Sequence, residues 1–160
     1  MFRAFSFLFV GLTLVGIVAA CPDRFVGDKG KDSKIKVTVI VILASEDGTE
    51  IDPRLKQIAD EIQKRDPQLK SFKLQSMTNR TLAENEKSIF KLVDQKTLDV
   101  VVKHGADDTN KVGVAVTAPD QGEIEYRAVC GKFLPIVTRY QTKGRERLIV
   151  AVRVEPCQAK

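Results

Sequence analysis

The chain has 160 residues, with 26 Lys and Arg against 21 Asp and Glu, three Cys, one His and no Trp. This length suits one domain, and a content of 43% hydrophobic and 29% charged residues is typical of globular proteins rather than disordered, collagen-like or polytopic membrane proteins. A single histidine excludes a multi-histidine metal site, and three cysteines are too few for a disulfide-dense scaffold. The composition therefore predicts a fold stabilised by its hydrophobic core, and it identifies no substrate.

Residues 1–20 have the pattern of a secretory signal peptide. Arg3 is the only charged side chain, and an apolar run from Ala4 ends in the small residues Ala19 and Ala20. A membrane-spanning helix usually needs roughly 20 apolar residues and a flanking cluster of charges, so a retained span is the less favoured interpretation. We therefore predict that residues 1–20 direct export.

The four residues Val18, Ala19, Ala20 and Cys21 resemble the lipobox of bacterial lipoprotein precursors. The resemblance implies that Cys21 becomes the acylated first residue and that the protein is anchored to the membrane of the cell envelope through several acyl chains. The alternative is an ordinary signal-peptidase site after Ala20, which would give a soluble secreted or periplasmic protein.

Residues 21–34 contain glycines and alternating Asp and Lys without apolar periodicity, so they are predicted to be a flexible tether before a single domain at residues 35–157.

Two cysteines remain if Cys21 is acylated. In an exported protein the pair Cys130 and Cys157 indicates a disulfide. The alternative is a buried thiol at Cys130 and an unpaired Cys157 near the carboxyl terminus.

The first predicted elements are a central strand and an amphipathic helix. Residues 35–43 alternate at first and then become apolar on both faces, which is typical of a strand that is covered on both sides. Asp52 and Pro53 then supply a cap and a first helical residue. One apolar stripe follows at helical spacing, formed by Leu55, Ile58, Ala59 and Ile62.

The rest of the chain has the two-residue period of half-buried strands. Its apolar positions are Phe72 and Leu74, Phe90 and Leu92, Leu98 to Val102, Val112 to Val116, Ile124 to Cys130, Ile136 to Tyr140, and Leu148 to Val154. The intervening turns are short, as at Asp94-Gln95 and Lys143-Gly144, so neighbouring strands are predicted to be antiparallel. The fold class is therefore α+β: a β-rich, mostly antiparallel sandwich or partial barrel of seven or eight strands, with one amphipathic helix after the first strand.

Few residues suggest chemistry. His104 is the only imidazole, and a thiol enzyme or hydrolase would pair it with Cys130 or Cys157. No known catalytic motif accompanies these residues, so an exposed loop histidine is the simpler interpretation and we assign no catalytic residue and no cofactor.

Two groups of acidic residues have similar ordinary explanations. Asp107, Asp108 and Asn110 could offer oxygen ligands to a cation, but Asp and Asn are also common hairpin-turn residues, and we assign no metal. Glu123 and Glu125 lie on one face of a predicted strand, where a solvated polar face explains them without glycosidase chemistry.

The charge distribution is more informative than these motifs. Residues 127–160 carry eight basic side chains and two acidic ones, whereas residues 37–126 carry 12 and 16. The basic positions proposed as a partner surface are Lys132, Arg139, Lys143, Arg145 and Arg147. The partner would be an envelope protein, an acidic polymer or lipid head groups, or the charges only keep the hairpin soluble and protect its edge.

The sequence therefore favours a lipid-anchored envelope protein whose β-rich domain binds or scaffolds rather than catalyses. The alternatives are the secreted hydrolase or thiol enzyme, and an inhibitor or ligand carrier that uses a cavity between the helix and the sheet. Nucleic acid is not expected as a partner, because the chain is exported and has no recognisable binding module.

Overall fold

The computed structural model describes residues 34–156, so the predicted signal peptide, nearly all of the tether and Cys157 lie outside the described part of the chain. The elements are β1 (Ile35–Ser45), a 3-10 turn (Pro53–Leu55), α1 (Lys56–Gln63), β2 (Ser71–Leu82), β3 (Lys87–Lys91), a second 3-10 turn (Val93–Gln95), β4 (Thr97–His104), β5 (Lys111–Thr117), β6 (Glu123–Val129), β7 (Phe133–Gln141) and β8 (Arg147–Pro156). Among residues 34–156 no helix combines the length and the apolar character needed to cross a membrane.

The eight strands form two four-stranded antiparallel sheets. Sheet A has the order β2-β1-β8-β7, and sheet B has the order β3-β4-β5-β6. Their inner faces share one apolar core, so the two sheets form a sandwich and not a closed barrel. The prediction of a β-rich antiparallel fold with one short helix after the first strand is confirmed.

Strand β1 is apolar on both faces because it lies between two cores. Val37, Val39 and Val41 point into the space between the sheets. Ile40 and Ile42 point to the opposite face of sheet A, where α1 covers them. The change from alternating to continuous apolar sequence along β1 marks the place where this second layer begins.

The helix is set against sheet A by the capped 3-10 turn that precedes it and by the apolar stripe. The side chain of Asp52 accepts a hydrogen bond from the backbone N–H of Arg54 at 2.9 Å. The guanidinium of Arg54 also binds this carboxylate, and these bonds lower the pKa of Asp52 to about 2. The four stripe residues predicted from the sequence are all buried: Leu55, Ile58, Ala59 and Ile62.

Strand β2 is much longer than its apolar residues indicate. Phe72 is buried under the helix, but residues 75–81 are polar or exposed and continue the pairing with β1 as an edge of sheet A. Their backbone pairing is not accompanied by burial, so hydrophobic periodicity gives no signal for it.

Strand register defines two ends of the sandwich. At the terminal end, Ile35 at the start of β1 lies opposite Pro156 at the end of β8. At the far end, Ala44 lies opposite Arg147, next to the turn that joins β7 to β8. The chain therefore enters and leaves the described domain at the same end, about 30 Å from the β7–β8 turn at the usual rise per residue in a strand.

The predicted two-residue turn at Asp94-Gln95 joins β3 to β4 and offers a stability test. Both residues have positive φ, 51° and 61°, and the N–H of Lys96 donates to the carbonyl of Val93 at 3.0 Å. This geometry favours glycine at the second position, and Gln95 is exposed. We expect Gln95→Gly to raise the free energy of unfolding by about 1 kcal/mol, measured by urea denaturation. Thr97→Gly, within β4, is the opposite control and should destabilise the protein.

Candidate functional site

The basic residues predicted as one surface lie in three different settings. Lys132 precedes β7, whereas Lys143 and Arg145 follow it, so about 30 Å of strand separates the two groups. Arg147 is occupied, because its Nη1 donates to Asp66 Oδ2 at 2.7 Å and joins β8 to the segment after α1. The structure therefore leaves Arg139, Lys143 and Arg145 together at the far end.

The turn at residues 142–146, here called the hairpin tip, presents Lys143 and Arg145 to solvent, and Arg139 lies on β7 close to the tip. Its backbone is closed by hydrogen bonds from Thr142 N–H to Glu146 O at 2.9 Å and from Arg145 N–H to Thr142 O at 3.0 Å. Arg139, Lys143 and Arg145 are exposed, and none of them forms an ion pair with another residue in the range 34–156. Arg145 has a φ of 61°, a conformation that a residue with a Cβ rarely adopts.

Contacts below the hairpin tip fix it against sheet B. The hydroxyl of Tyr140 donates to Asp94 Oδ2 at 2.7 Å, and the ammonium of Lys96 lies 5.0 Å from the centre of the Tyr140 ring. The hydrogen bond to the carboxylate favours the neutral phenol and raises the pKa of Tyr140. The contacts of Tyr140 therefore fix the β7–β8 hairpin to sheet B, while the hairpin tip is exposed to solvent.

His104 and Cys130 are not brought together. His104 is the last residue of β4, its side chain is 80% exposed, and its Nδ1 lies 3.6 Å from Glu84 Oε1. Cys130 follows β6, which is two strands away from β4, or about 10 Å across the sheet. A thiol and imidazole pair needs hydrogen-bond distance, so this geometry gives no support to the thiol-enzyme hypothesis.

Cys130 is half-buried against the core between the sheets, as its inward position in the sequence pattern predicts. Burial, with smaller contributions from the carboxylates of Asp107 and Glu155, raises the pKa of its thiol. A raised pKa disfavours the nucleophilic thiolate at neutral pH.

The acidic residues singled out in the sequence have structural partners. Asp107 Oδ1 accepts hydrogen bonds from Thr109 N–H, from the Thr109 hydroxyl and from Lys111 N–H, all within 2.9 Å, which lowers the pKa of Asp107 and closes the turn before β5. Glu123 and Glu125 share a face of β6, and Lys103 Nζ lies 3.7 Å from each carboxylate. Within residues 34–156 no three His, Cys, Asp or Glu side chains are close enough to hold a metal ion.

The sequence gives no indication of a cleft of about 460 Å³ beside α1. One wall is formed by α1, including Asp60 and Glu61, and the other by Lys132, Phe133 and Arg153. Phe133 and Arg153 are opposite each other on β7 and β8, and the Arg153 guanidinium carbon lies 4.9 Å from the centre of the Phe133 ring. The two walls are far apart in the chain, and the packing of α1 on sheet A brings them together.

This cleft is distinct from the space between helix and sheet. That space is filled by the apolar side chains of α1 and sheet A, including Ile58, Ile62 and Ile149, which are all buried. The cleft opens at the edge of this packed interface.

Comparison with known protein families, curated protein sequences and solved structures gives no match for this chain.

Proposed function

We propose that the protein is a lipid-anchored domain of the bacterial cell envelope that binds an anionic polymer through the hairpin tip. The export and anchor parts of this proposal rest on the signal-like residues 1–20 and the lipobox-like Cys21. A disulfide between Cys130 and Cys157 is part of the same proposal, since exported proteins form such bonds in an oxidising compartment. The binding part rests on the geometry of the described domain.

One observation carries the binding proposal: the unpaired cations lie at the end of the sandwich opposite the chain's entry point. Ile35 and the hairpin tip are separated by the length of β1, roughly 30 Å. A flexible segment of 14 residues has a typical end-to-end distance of about 20 Å. An anchor at Cys21 would therefore favour orientations in which the tip points away from the membrane surface.

The composition of the tip favours a polymer over a folded protein partner. Its sequence from Gln141 to Glu146 contains no large apolar or aromatic residue. Protein interfaces usually depend on a few buried apolar or aromatic anchors, whereas extended polyanions are bound by exposed point charges. Lys143 and Arg145 provide two such charges on the hairpin tip, and Arg139 adds a third on the adjoining end of β7.

The anchor is tested by the mass and membrane partitioning of the protein expressed in a bacterial host. We expect the wild-type chain to begin at Cys21, to carry added acyl mass and to partition into membranes. The Cys21→Ser variant should lose both the acyl mass and the partitioning. An unmodified soluble wild-type chain would contradict the anchor and leave a secreted or periplasmic domain.

Binding is tested with the full-length chain in a neutral detergent and immobilised poly-L-glutamate or polyphosphate. We expect the triple variant Arg139→Gln, Lys143→Gln, Arg145→Gln to lose at least tenfold in affinity, and the wild-type affinity to fall steeply with salt, because the contacts are screened charges. The matched control, Lys34→Gln, Lys36→Gln, Lys56→Gln, removes the same net charge away from the tip. Equal losses in the two triple variants would contradict a tip site and indicate attraction by net charge alone.

The backbone conformation of Arg145 gives a second control. Arg145→Gly should raise the unfolding temperature, since glycine adopts a φ of 61° without strain, and should still weaken polymer binding. Gln95→Gly should raise the unfolding temperature and leave binding unchanged. If Arg145→Gly binds as well as the wild type, Arg145 makes no contact with the polymer.

A further inference from the structure

The cleft beside α1 has two walls of opposite charge that do not pair with each other. Asp60, Glu61 and Lys64 are exposed on the helix wall, which has a net negative charge, and Lys132 is exposed on the facing turn. Within residues 34–156 none of these four side chains forms an ion pair. Oppositely charged groups that line one cleft without direct contact leave room for a molecule between them.

The basic wall is arranged for a carboxylate. The Arg153 guanidinium is stacked on Phe133, and its side chain is 30% exposed, so the group is held in place and still faces the cleft. Its Nε is buried and donates to no acceptor in the described residues, and the nearest carboxylate, Glu155 Oε1, lies 3.6 Å away. A partly buried guanidinium carries five N–H donors, and a carboxylate accepts two of them side by side.

The acidic wall provides a site for a cation. Asp60 and Glu61 are consecutive on α1, and their side chains are available to the cleft because the apolar side of the helix, with Ile58, turns toward sheet A. Lys64 also lines this wall, but the two carboxylates outnumber it, so the wall as a whole attracts an ammonium group and repels a ligand that carries only negative charge. A simple anion is therefore a poor match for the cleft as a whole.

We propose that this cleft binds a small zwitterion with a free amino group and a free carboxylate, of the size of an amino acid or a dipeptide. The carboxylate lies against Arg153 and Lys132, and the ammonium lies against Asp60 and Glu61. A volume of about 460 Å³ is within the range of small-molecule sites. The two ends of a dipeptide are about 7 Å apart, a length that suits a cleft of this volume. The site is separate from the hairpin tip, and its existence does not depend on polymer binding.

The test uses the full-length chain and three forms of one dipeptide, measured by isothermal titration calorimetry. Dialanine carries both charges, N-acetyl-dialanine keeps the carboxylate, and dialanine amide keeps the ammonium. Free alanine is titrated beside them as the smaller zwitterion. We expect dialanine to bind, and each of its singly charged forms to bind at least tenfold more weakly than dialanine.

Variants of each wall assign the two charges of the ligand. In the double variant Asp60→Asn, Glu61→Gln, N-acetylation of dialanine should no longer weaken its binding, whereas amidation should still weaken it. Lys132 is an exposed turn residue, so its replacement leaves the core unchanged. In Lys132→Gln, amidation of dialanine should weaken binding less than in the wild type, whereas N-acetylation should weaken it as before. Arg153→Gln should have the larger effect of the same kind, and Asp47→Asn, Glu50→Gln is the matched acidic control outside the cleft.

Two results would overturn the proposal. One is equal affinity for dialanine and for either singly charged form, which would show that only one wall takes part. The other is the lack of dialanine binding up to about 10 mM, a concentration that corresponds to a very weak interaction. Neither result would affect the hairpin-tip proposal, which is measured with a different ligand.

Discussion

Replacing Phe72 with alanine is expected to lower the free energy of unfolding by about 3–5 kcal/mol. Phe72 is fully buried between sheet A and α1, opposite Ala44 on β1, and it is one of the two largest buried side chains of the domain. Its removal would leave a cavity at the centre of the helix–sheet layer, because the surrounding strands are fixed by backbone pairing and close only part of the space. Chemical denaturation of the two proteins measures the difference.

Met77→Ala on the same strand is the control for Phe72→Ala. Met77 also lies on the outer face of β2 but beyond the reach of α1, and it is 50% exposed. Its truncation should change the free energy of unfolding by less than about 0.5 kcal/mol. Similar effects for the two variants would contradict the position of α1 over sheet A.

Local features of the fold could be predicted from the sequence because they depend on neighbouring residues. The stripe of Leu55, Ile58 and Ile62 predicts the buried side of the 3-10 turn and α1, and the cap at Asp52 predicts the start of the 3-10 turn that leads into α1. The Asp94-Gln95 turn lies where the sequence places it, as a tight connection between β3 and β4. Each of these signals depends on the spacing of a few residues along one segment.

The pairing of distant strands could not be predicted in the same way. Sheet A pairs β1 with β8, the first and last strands of the described domain, and hydrophobic periodicity carries no information about which strands become neighbours. The α1 cleft could not be predicted from the sequence for the same reason. Asp60 and Arg153 are far apart in sequence, and neither belongs to a motif. The five basic positions predicted as a partner surface do not all lie together, because Lys132 and Lys143 are close in sequence but lie at opposite ends of β7.

Cys130 lies beside the end of β8. The N–H of Cys130 donates to Asn110 O at 3.0 Å, and the N–H of the next residue, Gly131, donates to Val154 O at 2.9 Å. Cys157 follows Val154 by three residues, a chain length of at most about 11 Å. The two cysteines are therefore connected to backbone that is already hydrogen-bonded together, which favours a disulfide with little change in the domain.

We expect Cys130 and Cys157 of the exported protein to resist alkylation in denaturant until a reductant is added. Reduction should then lower the free energy of unfolding by about 3.5 kcal/mol, because the bond closes a loop of roughly 27 residues in the unfolded chain. The double variant Cys130→Ser, Cys157→Ser should have the stability of the reduced protein and should not respond to reductant. Mass spectrometry of the alkylated peptides identifies the pair directly. Alkylation of either residue in the exported, unreduced protein would contradict the bond and leave Cys130 as a half-buried thiol of raised pKa, which reacts slowly in the folded domain.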